Sequence, residues 1–311
     1  MSVGTSKSKA DWLDQNMYPF ESHFVHVEGG AMHYVDEGEG DVIVFVHGLP
    51  TWSFMWRGLI RDLSVKHRCI AMDHIGFGLS DKPDHWSYTP EAHARNFRKL
   101  IEHLGIGTFS LVVHDFGGPI AFAYAIDNPQ RIDRITVVSS FMWSLKSDDH
   151  FVKFDHKVNG PIGKMALTAT PIGLNKMLHD MVAQKQKVPA KVYPQYTGPY
   201  HNAAERQGPF GLAHGYIGSS EWLYNIWAHR EPLITKPIQV IWPMKDNLFT
   251  TVQLDKWRQF WPNAEVVAFP DSGHMVFEEQ PNEFEAAVYM FQSGQSELAN
   301  TVQSIYSEVE P

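Results

Sequence analysis

Val112-Val113-His114-Asp115-Phe116-Gly117-Gly118 is the stretch on which the fold turns. A β-prone apolar run that begins at Ser110 ends at Val113. An acid stands two positions on, and paired glycines come after one more residue. This is the layout of a nucleophile elbow, a strained strand-to-helix turn that lifts one side chain above a sheet. Small residues are needed just after that side chain because strand and helix backbones approach closely there. The start of the helix also favours negative charge. By itself the segment reads alternatively as a helix opened by an N-cap aspartate. Asp115-Phe116-Gly117 also spells a kinase metal-binding triplet, but no glycine-rich loop or catalytic-loop signature accompanies it.

On both sides of this stretch, strand and helix patterns alternate. Val42 to Val46 is apolar without alternation, as expected of a strand covered on both faces. Ser53 to Leu63 has helical spacing, and Arg68 to Met72 is a second short strand. Pro90 to Leu104 reads as a helix, with Thr89 as N-cap and Pro90 at its first position. Gly118 to Asp127 is a further helix and Ile135 to Val138 a fourth strand. Before all of these, residues 1–20 read as a polar lead-in. His23–Val27 and Met32–Val35, with Gly29-Gly30 between them, read as an antiparallel hairpin. The alternation breaks at about residue 140, where a stretch rich in Met, Trp, Tyr, Pro and Gly shows helical pieces and no buried strand. It resumes at Ile238–Trp242 and Val266–Phe269. The economical fold is α/β: a mostly parallel sheet with helices on both faces and a helical insertion. The expected division is a first core part at 1–139, a helical cap at 140–235 and a second core part at 236–311.

Composition narrows the function. A chain of 311 residues with 43% hydrophobic and 20% charged residues is ordinary for a globular enzyme and too apolar for disorder. A net charge of −9, with no basic cluster longer than two residues, argues against a nucleic-acid partner. The apolar runs are far shorter than the roughly 20 residues of a membrane span, so no membrane partner is expected. A single cysteine, Cys69, excludes an intrachain disulfide and any Cys-based metal site. Met1 to Lys9 has no apolar core of the kind a secretory signal needs, so a cytoplasmic setting is expected. No metal and no cofactor is expected, and the chain is expected to act as a monomer or homodimer.

Two further segments strengthen the elbow reading. Ile241-Trp242-Pro243-Met244-Lys245-Asp246 places an acid just past a strand, and Asp271-Ser272-Gly273-His274 places a histidine in a glycine loop after the next one. Nucleophile, acid, histidine is the order in which this kind of site is built along the chain. His47-Gly48-Leu49-Pro50 comes after the first buried strand. By position, the backbone N–H groups of Leu49 and Phe116 would form an oxyanion hole. Gly76-Phe77-Gly78-Leu79-Ser80 lacks the third glycine of a dinucleotide fingerprint, so a nicotinamide site is not expected.

With these residues in place, the chain resembles the haloalkane dehalogenase group of the α/β-hydrolases. The resemblance rests on His47-Gly48-Leu49-Pro50-Thr51-Trp52-Ser53-Phe54-Met55-Trp56-Arg57, Asp73-His74-Ile75-Gly76-Phe77-Gly78-Leu79-Ser80, the elbow and Gly273-His274. Epoxide hydrolases share much of this scaffold but usually carry glycine two residues before the nucleophile, where Val113 stands here. The resemblance implies that Asp115 displaces a leaving group from carbon to form an ester. His274 then activates the water that hydrolyses this ester, and Asp246 orients His274. An aspartate would form an anhydride with an ordinary ester, so Asp115 argues against a standard esterase. The implied substrate is a small apolar molecule, with water as co-substrate.

One departure from the group stands out. Dehalogenases grip the leaving halide with side-chain N–H donors, normally a Trp just after the nucleophile and a polar residue after His-Gly. Phe116 and Leu49 occupy those positions and carry no side-chain donor. At about 1.5–3 kcal/mol per charge-assisted bond, losing both would cost roughly two to four orders of magnitude in rate unless the insertion supplies a replacement. Trp143, Trp222 and Trp227 are the candidate replacements. Tyr193, Tyr196, Tyr200 and Tyr216 also lie in the insertion, and epoxide hydrolases use cap tyrosines to protonate a ring oxygen. His47, Pro50, Trp143, Tyr193 and Tyr200 are the expected pocket residues. Met165, Met177 and Met181 suit an apolar pocket and a packed helical core alike. Opening of an epoxide or strained lactone on the same triad, or non-catalytic binding on the same fold, are the rival readings.

Overall fold

Eight strands form one sheet in a computed structural model that describes residues 10–169 and 171–294. The strands are β1 (His23–Val27), β2 (Gly30–Glu37), β3 (Asp41–Val46), β4 (His67–Met72), β5 (Phe109–Asp115), β6 (Ile132–Ser140), β7 (Ile238–Pro243) and β8 (Glu265–Phe269). Their spatial order is β1-β2-β4-β3-β5-β6-β7-β8. β2 pairs antiparallel with β1 and with β4, and every later pairing is parallel. The order reverses between β4 and β5, across β3. Loops leaving the carboxyl ends of β3 and β5 therefore meet, which is where open α/β sheets build their sites.

Burial of both sheet faces agrees with the unbroken apolar runs. In β3, Val44 and Val46 point into one hydrophobic cluster, while Ile43 and Phe45 point into the other. On the first face lie helix α2 (Pro90–Leu104) and helix α3 (Gly117–Ala125), through residues such as Phe97, Leu100 and Ile120. On the second lies helix α1 (Arg57–Leu63), with Leu59 and Ile60. Thr89 caps α2 with Pro90 at the first position, and Gly105 ends it in the left-handed conformation (φ 58°).

Between β6 and β7 the described residues form seven α-helices: α4 (Asp149–Asn159), α5 (Pro161–Thr168), α6 (Pro171–Asp180), α7 (Tyr193–Thr197), α8 (Gln207–Ala213), α9 (Gly215–Gly218) and α10 (Ser220–Ala228). α11 (Thr251–Phe260) joins β7 to β8, and α12 (Val276–Glu279) and α13 (Pro281–Gln292) come after β8. α13 packs against α1, with Phe284 and Val288 buried in the second cluster.

Two expectations need correction. The Ser53–Leu63 helix is split: Ser53–Trp56 is a tight 3₁₀ turn and the α-helix proper begins at Arg57. The lead-in is not simply polar. Residues 1–9 lie outside the described residues, but Tyr18 is buried and its hydroxyl lies 2.5 Å from Ser53 Oγ. Trp12 meets Trp52 edge-on at 5.5 Å, and the Asp14 amide donates to Gln195 Oε1. Isolated aromatics in a polar stretch carry no periodicity, so their docking is invisible to pattern reading.

Candidate active site

Asp115 ends β5 with φ 51°, a left-handed conformation that costs a residue with a side chain of order 1–3 kcal/mol. The surroundings hold it there. Ser140 Oγ donates to the Asp115 carbonyl at 2.6 Å, and the Trp257 indole donates to the Ser140 carbonyl at 2.8 Å. A Cβ on Gly117 would lie 2.0 Å from the Val46 carbonyl oxygen, so only glycine lets α3 start this close to β3. Gly48 plays the matching part on the other loop: a Cβ there would lie 2.3 Å from Asp115 Oδ1.

Both carboxylate oxygens of Asp115 have donors. The Leu49 backbone N–H donates to Oδ1 at 2.8 Å, and the Phe116 backbone N–H also bonds the side chain. The Tyr216 hydroxyl, from α9, donates to Oδ2 at 2.5 Å. Asp115 is fully buried, and this burial raises its pKa. His274, Tyr216 and the two amides pull the other way, with a net rise. Burial first, then the Asp115 carboxylate, pushes the Tyr216 hydroxyl well above its ordinary value, so it stays a proton donor at neutral pH.

His274 Nδ1 lies 2.7 Å from Asp246 Oδ2. Asp246 Oδ1 accepts the amides of Leu248 and Phe249 at 2.8 and 3.1 Å. With the carboxylate so fixed, Nδ1 is the protonated nitrogen. Nε2 is left buried with no hydrogen-bond partner among the described residues, a position from which it could take a proton from water. Burial disfavours the His274 imidazolium, but Asp246, then Asp115 and Glu279, outweigh it and raise the pKa. The His114 ring packs 4.4 Å from His274, and its Nε2 lies 3.3 Å from the His274 carbonyl.

The fold thus brings together Asp115, His274, Asp246, Leu49 and Phe116. Pro50 is buried directly after Leu49. The rings of the other expected pocket residues pack on residues other than Asp115 and His274, and the Tyr193 and Tyr200 hydroxyls are buried with no hydrogen-bond partner among the described residues. His47 faces away from Asp115: its Nε2 accepts the His74 amide at 2.9 Å, and burial lowers its pKa to about 4, so it stays neutral as a brace for its loop. Trp143 packs on Trp257 and Trp227, at the seam between α10 and α11. Tyr193 stacks on His179 at 4.1 Å. Tyr200 lies edge-on to Phe77, on the loop after β4. Of Tyr193, Tyr196, Tyr200 and Tyr216, only Tyr216 hydrogen-bonds Asp115 among the described residues. Its ring sits among Phe116, Phe141, Phe151, Phe154 and Phe249, at centroid distances of 4.3 to 6.2 Å. Ser140 is the functional residue that sequence reasoning missed, since a serine at a strand end carries no signal of its own.

A cleft of about 750 Å³ reaches His274 and Asp246 from outside, walled by apolar residues such as Phe154, Leu167, Met177 and Met181. Among the described residues, no cluster of His, Cys, Asp and Glu is placed to hold a metal, and no helix is long and apolar enough to cross a membrane.

A strand-to-helix elbow carrying an acid, two amides on that acid, and a histidine–acid pair on the loops after β7 and β8 define a class of enzyme. Residues 41–281 match the α/β hydrolase fold family, and the chain belongs to that family. It is a hydrolase, and its similarity runs toward the dehalogenases. It is 30% identical over 279 residues to Haloalkane dehalogenase 2 of Mycobacterium tuberculosis, covering 88% of this chain and 96% of that one. It is 28% identical over 294 residues to a cis-3-alkyl-4-alkyloxetan-2-one decarboxylase of Shewanella oneidensis, covering 92% of each. The solved haloalkane dehalogenase DbeA from Bradyrhizobium elkanii has the same fold, with a TM-score of 0.79 at 22% identity over 88% of this chain and 98% of that one.

Proposed function

We propose that this hydrolase cleaves carbon–halogen bonds in apolar substrates through an ester on Asp115, with residues 140–235 as a cap over the site and the reaction set in the cytoplasm. The observation that carries this reading is the geometry of Asp115. Oδ1 is held by the Leu49 amide, and Oδ2 accepts the Tyr216 hydroxyl. In the first step, Oδ2 attacks carbon, the carbon–halogen bond breaks and the halide leaves with the electron pair. In the second, Nε2 of His274 takes a proton from water and the hydroxide attacks the ester carbonyl. The developing oxyanion gains the Leu49 and Phe116 amides. Collapse breaks the bond from the Asp115 carbonyl carbon to Oδ2, the departing oxygen takes the proton back from His274, and the alcohol leaves with one solvent oxygen remaining in Asp115. Asp246 keeps His274 in the tautomer with Nε2 free.

A second reading has an observation of its own. The side-chain donor at Asp115 is an O–H, not an indole N–H. A phenol can give its proton to a leaving oxygen, which a halide does not need. Opening of a strained oxygen ring, an epoxide or a β-lactone, therefore also fits the site, and the similarity to an oxetanone decarboxylase points the same way. The test is a panel of bromoalkanes, epoxides and β-lactones assayed for halide, proton and product release. His274→Phe should form the alkyl-enzyme and stop there, visible as an added mass on Asp115. An inactive variant with no adduct, on a substrate that the natural protein turns over, would sink the covalent scheme.

A further inference from the structure

We propose that the face formed by α4, α5 and α6 docks on an anionic lipid surface, so that apolar substrate passes from lipid into the cleft that ends at His274. Three independent observations meet on this face. The first is exposed apolar side chains: Ile162 and Met165 on α5 and Ile172 on α6 are 79%, 61% and 71% exposed. Ile162 and Met165 share one face of α5 by their spacing. α6 lies close beside it, because a Cβ on Gly173 would sit 2.1 Å from the Ala166 carbonyl oxygen. Exposed aliphatic side chains grouped in this way mark an interaction surface more often than chance exposure does.

The second observation is charge. Residues 150–191 contain seven lysines, two aspartates and no glutamate or arginine, a net charge of +5 in a chain of net charge −9. Lys153, Lys157, Lys164 and Lys176 are exposed on the same three helices as the apolar side chains, which also carry Asp149, Asp155 and Asp180, the last paired with Lys176 at 2.8 Å. Apolar side chains ringed by lysines suit the boundary between acyl chains and anionic headgroups. The rest of the chain is net acidic.

The third is the cleft itself. Its inner end is at buried His274 and Asp246, and its walls include exposed Lys157 and Ile162. Its mouth therefore opens on the lysine-rimmed apolar face, and an apolar substrate could move from lipid to the site without crossing water. No helix among the described residues can span a bilayer, so the contact is peripheral. Delivery of substrate rests on the catalytic reading of His274, whereas docking does not, and the experiment measures docking without turnover.

The natural protein and Met165→Glu/Ile172→Glu should be sedimented with vesicles of phosphatidylcholine alone, or mixed with phosphatidylglycerol in equal parts, at low and high salt. Neither substituted residue lines the cleft. The natural protein should pellet with the anionic vesicles only, and less so at high salt. The double variant should bind about tenfold more weakly, with an unchanged circular dichroism spectrum and unchanged turnover of a short, water-soluble substrate. Turnover of a long-chain substrate carried in anionic vesicles should fall with the binding. The proposal is overturned if the natural protein ignores both vesicle types, or if the variant binds as well as the natural protein. It is also overturned if ultracentrifugation shows self-association that the same double change abolishes, because the face is then a contact between copies. Docking without hydrolysis of any substrate in the panel would instead count against the catalytic reading alone.

Discussion

Replacing Tyr216 with Phe separates the two substrate readings more sharply than any other single change. The ring is fully buried within five phenylalanines, so Phe fills the same space and the fold should stand. The change removes one hydrogen bond, from the hydroxyl to Asp115 Oδ2 at 2.5 Å. A bond to a charged acceptor contributes about 1.5–3 kcal/mol, a factor of roughly 10 to 150 in the equilibrium between ionised and neutral carboxyl. Asp115 must be ionised to attack. Its folded pKa, already raised by burial, rises further in the variant, so attack is retained above that pKa and lost as pH falls through it. The acid limb of a bromoalkane pH profile should therefore move to higher pH. On the alkaline plateau the freed oxygen is the better nucleophile, and kcat/KM should stay within about threefold of the natural value or rise. For an epoxide or β-lactone the same hydroxyl is the proton source, and turnover should fall by about 10²–10⁴ at every pH. The assay is halide release beside ring opening, each measured across pH on both proteins. A bromoalkane rate that collapses by roughly a hundredfold on the alkaline plateau, in a variant with an unchanged melting temperature, would refute the reasoning. It would mean that Tyr216 grips the halide and does not chiefly hold the nucleophile.

The other expectations concern the same few atoms. Asp246→Asn removes the main charge that raises the His274 pKa, so the acid limb of ester hydrolysis should shift to lower pH while the plateau falls, because the imidazole loses its orienting partner. Gly48→Ala would press a methyl against Asp115 Oδ1 and the Phe116 amide, and single-turnover kinetics should show a loss of about 10²–10³ in rate. Leu49→Asn should raise bromoalkane turnover by supplying an N–H donor. Adding Phe116→Trp should lower stability by about 1–3 kcal/mol in a denaturant melt, since Phe116 is already packed 4.3 Å from Tyr216 and 5.4 Å from Phe141. Single turnover in heavy-oxygen water should label Asp115 before the product, and an unlabelled Asp115 would rule out the ester.

The parts of this protein that could be read along the chain are those whose physics is local. Val42–Val46 read as a strand covered on both faces because the run does not alternate, and in the fold its successive residues do point into opposite clusters. Asp115 read as the apex of an elbow because glycines come just after it, and only glycine admits the close approach of α3 to β3. Asp246 and His274 were found by their places after successive strands, since a parallel sheet delivers the carboxyl ends of its strands to one edge. The insertion obeys no such rule. Its helices are short, and which face each buries depends on partners far along the chain. Five tyrosines of identical chemistry stand there, and nothing in their sequence neighbours distinguishes Tyr216 from Tyr193 or Tyr200. Packing against Phe116, Phe141 and Phe249, residues 33 to 100 positions away, sets its hydroxyl on Asp115. Local backbone chemistry therefore determined the elbow and the order of Asp115, Asp246 and His274 along the chain. Tertiary packing alone decided which side-chain donor meets Asp115.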